Sequence, residues 1–365
     1  MIDVKDLRDR QQYRISVEEE LPDRMTSGDT VFEKRLSLRY GENPPALPGE
    51  GGAAVYVDST SSGPSIATAV KIHGEKDLGY INVLDADAGL RLCLRLHELF
   101  PDDYIAAIVK HAGPCGVARS GTMAGAHQLA YLCDPLSSFG GVNVYTGTVD
   151  DETARHVVSY FNEVVAAPGY TKEAMRILRT KKDLRVLNIG DINQPVLDSG
   201  IDERSILGGK LAQQRVKSHI DAYRNLEKVS TGRDPTMDEL DAALFNWPVA
   251  LYTPSNAVIL GTSHRTVGVG RGQPSRVDST RQAIWYANNR CEGYTSKGTV
   301  MASDAFFPDK DSVTHAGEAG VSAIVFPLGS TKDAEALAEA ERYGIVMLCT
   351  RPVPGENKIE RGFRH

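Results

Sequence analysis

Short apolar runs bounded by Gly, Pro and charged residues alternate along this chain with longer stretches in which leucines recur among charges. That alternation predicts strands interleaved with helices, an α/β arrangement. Asp85 to Leu99 carries Leu90, Leu92, Leu94, Leu96 and Leu99 among charged residues and is predicted as a helix. Tyr104 to Val109 is an apolar run closed by turn residues, the mark of a buried strand. Gly121 to Leu132 returns as a helix, giving a strand–loop–helix unit with Lys110-His111-Ala112-Gly113-Pro114-Cys115-Gly116 as its turn. Asp151 to Val165 predicts another helix. Further on, Val321 to Phe326 reads as a strand, Ser330 to Tyr343 as a helix and Gly344 to Cys349 as a second strand. Ser330 and Asp333 have capping-box spacing, and Gly344 stands where a helix C-cap belongs. A strand–helix–strand unit of this length implies parallel pairing.

Between these units the pattern weakens. Residues 1–35 are polar and predict an irregular arm, and Gly49 to Ser65 predicts a loop or hairpin. Ile201 to Phe245 is long and polar and predicts a helical connector, with the second domain starting near Trp247. The expected division is an arm at 1–35, a first α/β domain at 36–200, a connector at 201–246 and a second α/β domain at 247–365. No sequence repeat is evident.

Composition narrows the class. A chain of 365 residues exceeds a typical single domain, and 41% hydrophobic with 24% charged residues is ordinary for a globular enzyme. No run approaches the roughly 20 apolar residues that span a bilayer, so no membrane is expected. Residues 1–20 lack a signal-peptide core, which makes the cytoplasm the expected location. The five cysteines, at 93, 115, 133, 291 and 349, form no CxxC pair, and they read as reduced, mostly buried thiols. A net charge of −7 disfavours nucleic acid as a partner. An anionic ligand would need a local cationic cluster, and Arg39, Lys110, Arg276 and Arg361 are candidates.

Lys110 and His111 set a cation beside an imidazole where a buried strand surfaces. Chemistry in open α/β sheets sits where strands end. Gly113 and Pro114 predict that the chain leaves strand geometry there, so that both side chains address one pocket. Taken alone, the pair reads equally well as a solvated strand-end lysine beside a structural histidine.

Six ordered blocks surround this turn: Arg39-Tyr40-Gly41-Glu42-Asn43-Pro44, Asp134-Pro135-Leu136-Ser137-Ser138-Phe139-Gly140-Gly141, Ser255-Asn256-Ala257-Val258, Gly268 to Ser279, Ser303-Asp304-Ala305-Phe306-Phe307-Pro308, and Arg361-Gly362-Phe363-Arg364-His365. Together they closely resemble the aminoimidazole carboxamide ribonucleotide (AICAR) formyltransferase half of the bifunctional purine-biosynthesis family, from about Leu38 to His365. The resemblance implies two cytidine-deaminase-like α-β-α domains and formyl transfer from 10-formyltetrahydrofolate to AICAR. It implies a stand-alone formyltransferase, because segment 1–35 is too short for a cyclohydrolase domain, with a separate IMP cyclohydrolase acting downstream. It also implies a homodimer with shared active sites, in which Arg39 and Tyr40 serve the partner's Lys110 and His111, a structural potassium ion and no zinc.

By the same resemblance His111 is the proton acceptor, Lys110 supports charge at the leaving nitrogen, and Asn256 orients the amine and steadies the oxyanion. Arg39, Tyr40 and Arg361 match positions that bind the nucleotide, largely its phosphate. Asn82, Glu163 and Arg276 match further nucleotide contacts, and Phe306 a residue against the aminoimidazole ring. Leu136, Phe139, Gly140, Val277, Pro308, Asp309 and Asp311 match the folate side.

The chain departs from the family pattern at Pro45-Ala46, Thr253-Pro254, Asp309 and Lys310. Asp309 stands where an aromatic is usual, which predicts a weaker folate pocket. A zinc deaminase would need a second cysteine after Pro114-Cys115, and Gly116-Val117-Ala118 supplies none. A formyltransferase for another aminoheterocycle ribonucleotide and a non-catalytic purine-nucleotide-binding regulator are the alternative functions.

Overall fold

The computed structural model describes residues 21–27, 30–38, 41–42, 52–58, 62–194, 201–214 and 223–350. Its first element is a three-stranded antiparallel sheet of β1 (Arg24–Ser27), β2 (Thr30–Leu38) and β3 (Ala53–Asp58). The described part of the expected irregular arm is therefore sheet. Both faces of β2 lie largely in solvent until Leu38 and Ala53 reach the core, so its alternation carries little apolar signal.

The first large sheet is built from β4 (Val70–His73), α1 (Tyr80–Leu99), β5 (Tyr104–Lys110), β6 (Gly113–Ser120), α2 (Met123–Tyr131), α3 (Pro135–Ser138), β7 (Val142–Tyr145), β8 (Thr148–Val149), α4 (Asp151–Ser159), β9 (Val164–Ala167), β10 (Gly169–Tyr170), α5 (Lys172–Leu178) and β11 (Arg185–Asn188). Its six strands lie in the order β4-β11-β9-β7-β5-β6, while β8 and β10 form a separate pair. β9 runs parallel to β7 and β11, and the other joints are antiparallel.

A hairpin follows, β12 (Ile201–Ile206) and β13 (Gly209–Gln214), and then the second large sheet. It comprises β14 (Leu226–Lys228), α6 (Met237–Leu251), β15 (Val258–Gly261), β16 (Thr266–Gly270), α7 (Arg276–Asn289), β17 (Val300–Ser303), α8 (Asp311–Glu318), β18 (Ala323–Phe326), α9 (Asp333–Arg342) and β19 (Val346–Thr350). The strand order β14-β19-β18-β17-β15-β16 repeats the first sheet position for position, with β18 parallel to both of its neighbours. A structural repeat thus exists where no sequence repeat was legible.

Three apolar clusters hold these layers. Ile105, Ala107 and Val109 of β5 point with Val142, Val144 and Leu187 into a central core shared by α1, α6 and the facing side of the second sheet. Ala106 and Ile108 point the other way, against α2, α4 and α5. Met301, Ile324 and Met347 pack likewise against α7, α8 and α9. This is the period-two alternation of strands buried on both faces, which reads in sequence as a continuous apolar run. The two sheets also meet edge to edge: Ala118 bridges Arg265, and the Val117 amide donates to Thr266 Oγ1 at 2.9 Å.

Several predicted elements change. The expected helical connector is the β12–β13 hairpin, then β14, and helix resumes only at Met237 with Trp247 buried inside α6. All but one of the hairpin's strand residues are exposed, so no alternation marks them, and the Leu207-Gly208 turn was the available sign. The helix expected over Asp151–Val165 stops at Ser159, where Asn162 turns its amide back to the Val157 carbonyl at 2.7 Å, and Val164 opens β9. The Lys110–Gly116 segment is a hairpin between β5 and β6 rather than a strand-to-helix loop. Pro114 enters β6 opposite a register shift at Ile108/Val109, an irregularity at which a strand tolerates proline. The final strand–helix–strand unit is parallel as predicted, and Gly344 takes the left-handed conformation at the end of α9, with φ 68°.

Candidate active site

Lys110 and Gly113 pair across a two-residue turn made by His111 and Ala112. Both turn residues are left-handed, with φ 53° and 56°. Tight hairpins require that geometry, and it is usually supplied by Asn-Gly. Here the neighbours hold it. Asp85, buried on α1, accepts the Ala112 amide at 2.6 Å, and Arg271 donates to the Lys110 carbonyl at 2.8 Å. A side chain at position 113 would have its Cβ 2.4 Å from Arg271 Nη1, so it would displace that guanidinium from the turn. Burial pushes the Asp85 carboxyl above its usual range, opposed by the Ala112 and His111 amides and by the charges of His111 and Arg271. His111 itself projects into solvent.

Arg271 joins this turn to a second one, 161 residues further along the chain. Gly272 N donates to the Pro254 carbonyl at 2.9 Å, and Asn256 Nδ2 donates to the Gln273 carbonyl at 2.8 Å. Asn256 Oδ1 in turn accepts from Arg276 Nη2 at 2.8 Å. The other arm of Arg276 donates to Ser303 Oγ at 2.9 Å and pairs with Asp304. Arg276 is the first residue of α7, placed there by the Ser275 N-cap.

On the opposite side, Lys110 Nζ donates to the Phe139 carbonyl at 2.9 Å. Asp134 caps the start of α3 through the Ser137 amide, and the helix ends at Phe139, beside the lysine. Leu136, Phe139 and the adjacent Phe161 are exposed, and the two phenyl rings lie 5.5 Å apart. Gly140 donates to the Phe161 carbonyl at 2.7 Å, and Glu163 to the Gly141 carbonyl at 3.1 Å. Glu163 accepts from Asn82 Nδ2 at 2.7 Å and lies 3.7 Å from Arg185. Asn82, Glu163, Gly140, Phe139, Lys110, His111, Asn256 and Arg276 therefore form one connected path across the seam between the sheets.

Val277 follows Arg276 on α7, half-buried. Phe306 is half-buried after β17, whereas Phe307 is core, its ring 5.2 Å from Phe326. Pro308 and Asp311 are exposed at the start of α8. Asp309 has a local role: its carboxylate accepts the Asp311 amide at 2.9 Å, taking up an N–H at the helix start. Arg39, Tyr40, Pro45, Ala46 and Arg361 lie outside the described residues.

Asp85, Arg271 and Gln273 were given no role by sequence, nor was Asp304 within its block. Asp85 had a signal: it is an acid on the buried face of α1 that also carries Gly89 and Cys93, and buried acids need partners. All five thiols are free, and four are buried. Burial pushes Cys115 up to about 11, so the cysteine of the turn is an inert core group. Among the described residues no three His, Cys, Asp or Glu side chains converge as a metal-binding group, and no helix is long and apolar enough to cross a membrane.

Fold and site together define an α/β protein with one composite site at the junction of two like-folded sheets. The family model described as AICARFT/IMPCHase bienzyme matches residues 7–286, and the chain belongs to that family. It is similar to the bifunctional purine biosynthesis protein PurH of Cereibacter sphaeroides (strain ATCC 17025 / ATH 2.4.3), 40% identical over 356 residues, covering 96% of this chain and 63% of the relative. The corresponding protein of Roseobacter denitrificans is 39% identical over 336 residues, 91% of this chain and 61% of the relative. The chain thus spans a little over three-fifths of the length of these relatives.

Proposed function

We propose that this chain transfers the formyl group of 10-formyltetrahydrofolate to the 5-amino group of AICAR, giving the formamido nucleotide and tetrahydrofolate. The observation that carries this reading is the Arg271 tie, which sets the Lys110-His111 turn beside the Asn256-Arg276 cluster. Binding alone would not need an exposed imidazole beside an ammonium and an amide.

The amine of AICAR is a poor nucleophile because its lone pair is delocalised into the ring. Holding it against the formyl carbon supplies ~7–11 kcal/mol of the barrier. As the new C–N bond forms, the carbonyl electron pair moves onto oxygen, and Asn256 donates to that oxyanion. His111 takes the proton from the attacking nitrogen. The oxygen pair returns, the bond to folate N10 breaks, and N10 takes up the proton that His111 gained, with Lys110 close by to support its charge. Arg276 contacts the nucleotide, while Arg39, Tyr40 and Arg361 bind its phosphate as forked or hydroxyl donors. Phe139, Leu136 and Phe161 offer exposed apolar faces for the pterin, with Gly140, Val277, Pro308 and Asp311 around it.

Each six-stranded sheet with its helices is read as one cytidine-deaminase-like α-β-α domain, which the matching strand orders support. Purified protein mixed with AICAR and 10-formyltetrahydrofolate is expected to release tetrahydrofolate in step with product. No release above the uncatalysed rate, with both ligands bound, would overturn the assignment.

A further inference from the structure

The two large sheets close in the same way at matching positions, with different residues. In the first, the Thr146 amide donates to the Ile105 carbonyl at 3.1 Å, and the Ile105 amide donates to Thr146 Oγ1 at 2.9 Å. In the second, the Asp304 amide donates to the Ala257 carbonyl at 3.2 Å, and the Ala257 amide donates to Asp304 Oδ1 at 3.1 Å. The registers of β5 with β7 and of β15 with β17 make these the same position. The covering helices match as well. A Cβ on Gly116 would lie 2.0 Å from the Ala130 carbonyl oxygen, and one on Gly268 would lie 2.1 Å from that of Ala283. Those contacts align α2 with α7 and bring Met123, first in its helix, onto Arg276, first in its own. A methionine and a threonine in one sheet stand where an arginine and an aspartate stand in the other.

The charged pair is not there to close the sheet, because a hydroxyl does that in the first copy. It is also a poor stabiliser. The Arg276 and Asp304 side chains are 4% and 1% exposed, and buried ion pairs often contribute no more than apolar groups of like volume. Asp304 Oδ2 has no hydrogen-bond partner among the described residues. What the pair adds is orientation. Arg276 is donor-only, so the oxygen of Asn256 must face it, and the Asn256 amide nitrogen is thereby turned toward Gln273.

We infer that Asp304 is a positioning residue: its carboxylate fixes the Arg276 guanidinium, which in turn sets the side-chain orientation of Asn256 at the reaction centre. This rests on the formyl-transfer reading above. Without the carboxylate the guanidinium can swing and the Asn256 amide can turn over, so the group meant for the oxyanion is misplaced while the folate side stays.

Asp304→Thr installs the first sheet's own residue and keeps an acceptor for the Ala257 amide. The expected result is a kcat lower by ~10²-fold, the cost of misplacing one group, with the folate KM little changed. On an Asn256→Ala background the same substitution should have little further effect on kcat, since both act through one amide. An unchanged kcat, or an effect that multiplies fully with Asn256→Ala, overturns the inference. Should Asp304→Thr fail to fold, Asp304→Asn removes the charge at constant shape and supplies the same comparison. A crystal structure of the variant gives a readout independent of turnover: the Asn256 side chain should leave Arg276 while the Ala257 amide stays bound. A wild-type enzyme without formyl transfer would sink the functional reading, and an unmoved Asn256 in that structure would sink the role of Asp304.

Discussion

His111 and Ala112 occupy backbone conformations that cost non-glycine residues roughly 1–3 kcal/mol each. They persist because Asp85 and Arg271 bind the turn from two sides. The outcome is an imidazole held out from a stiff hairpin, with little freedom left in the backbone beneath it. His111→Ala and Asn256→Ala should each lower turnover by at least ~10²-fold, the scale of one acid–base or oxyanion group. AICAR affinity, measured by calorimetry, should change far less. Loss of binding with turnover at saturation intact would instead make His111 a binding residue. At Asp309 the hydrogen bond to Asp311 predicts a stability effect. Asp309→Phe should cost about 0.5–2 kcal/mol, the scale of a lost cap, read as a drop in Tm, before any gain in folate stacking. The Lys110-His111 pair was legible as a candidate because its residue types carry chemistry, whereas Asn256 entered only through the family resemblance, since its residue type alone reads as a turn. Arg271 was not legible, because an arginine between two glycines reads as a surface loop until the fold lays it across Gly113.

Among the elements, those buried on both faces were legible as apolar runs, and those with wet faces were not. β5 and the β18–α9–β19 unit emerged from pattern alone, whereas β2, β12 and β13 did not. Helix α2 carries a further consequence. Its His127 is fully buried, with Nδ1 2.7 Å from the Tyr145 hydroxyl and its ring stacked on Tyr160. Burial, with a smaller push from His156, lowers the His127 pKa from 6.5 to about 3. Between those values the unfolded chain binds the proton and the folded chain does not, so stability falls as pH drops from about 6.5 toward 3 and levels off below. Urea midpoints measured from pH 7 to pH 4 should show a shallower slope for His127→Gln than for the wild type. Equal slopes would mean that the histidine takes up its proton without opening the helix.

At the scale of the whole molecule, the proposed reaction centre draws on both sheets, so neither half of the chain would hold it alone. The proposed homodimer extends that division to a second copy. Mixing an Arg39→Ala chain with a His111→Ala chain should restore part of the activity that each lacks. No recovery after confirmed subunit exchange would leave each site within a single chain. The edge-to-edge join of β6 and β16 has one more effect, on colloidal behaviour. Two six-stranded sheets have four open margins, each a template for an intruding strand, and the join hides two of them. The margins left, β4 and β14, are four and three residues long. Each carries a lysine tied back to its own loop: Lys71 to Asp77 at 2.9 Å, and Lys228 to Asp234 at 2.7 Å. Replacing both lysines with valine should speed aggregation on heating, followed by light scattering at equal distance below each protein's Tm. The same join that brings the parts of the proposed reaction centre together thereby also covers two margins of the large sheets against an intruding strand.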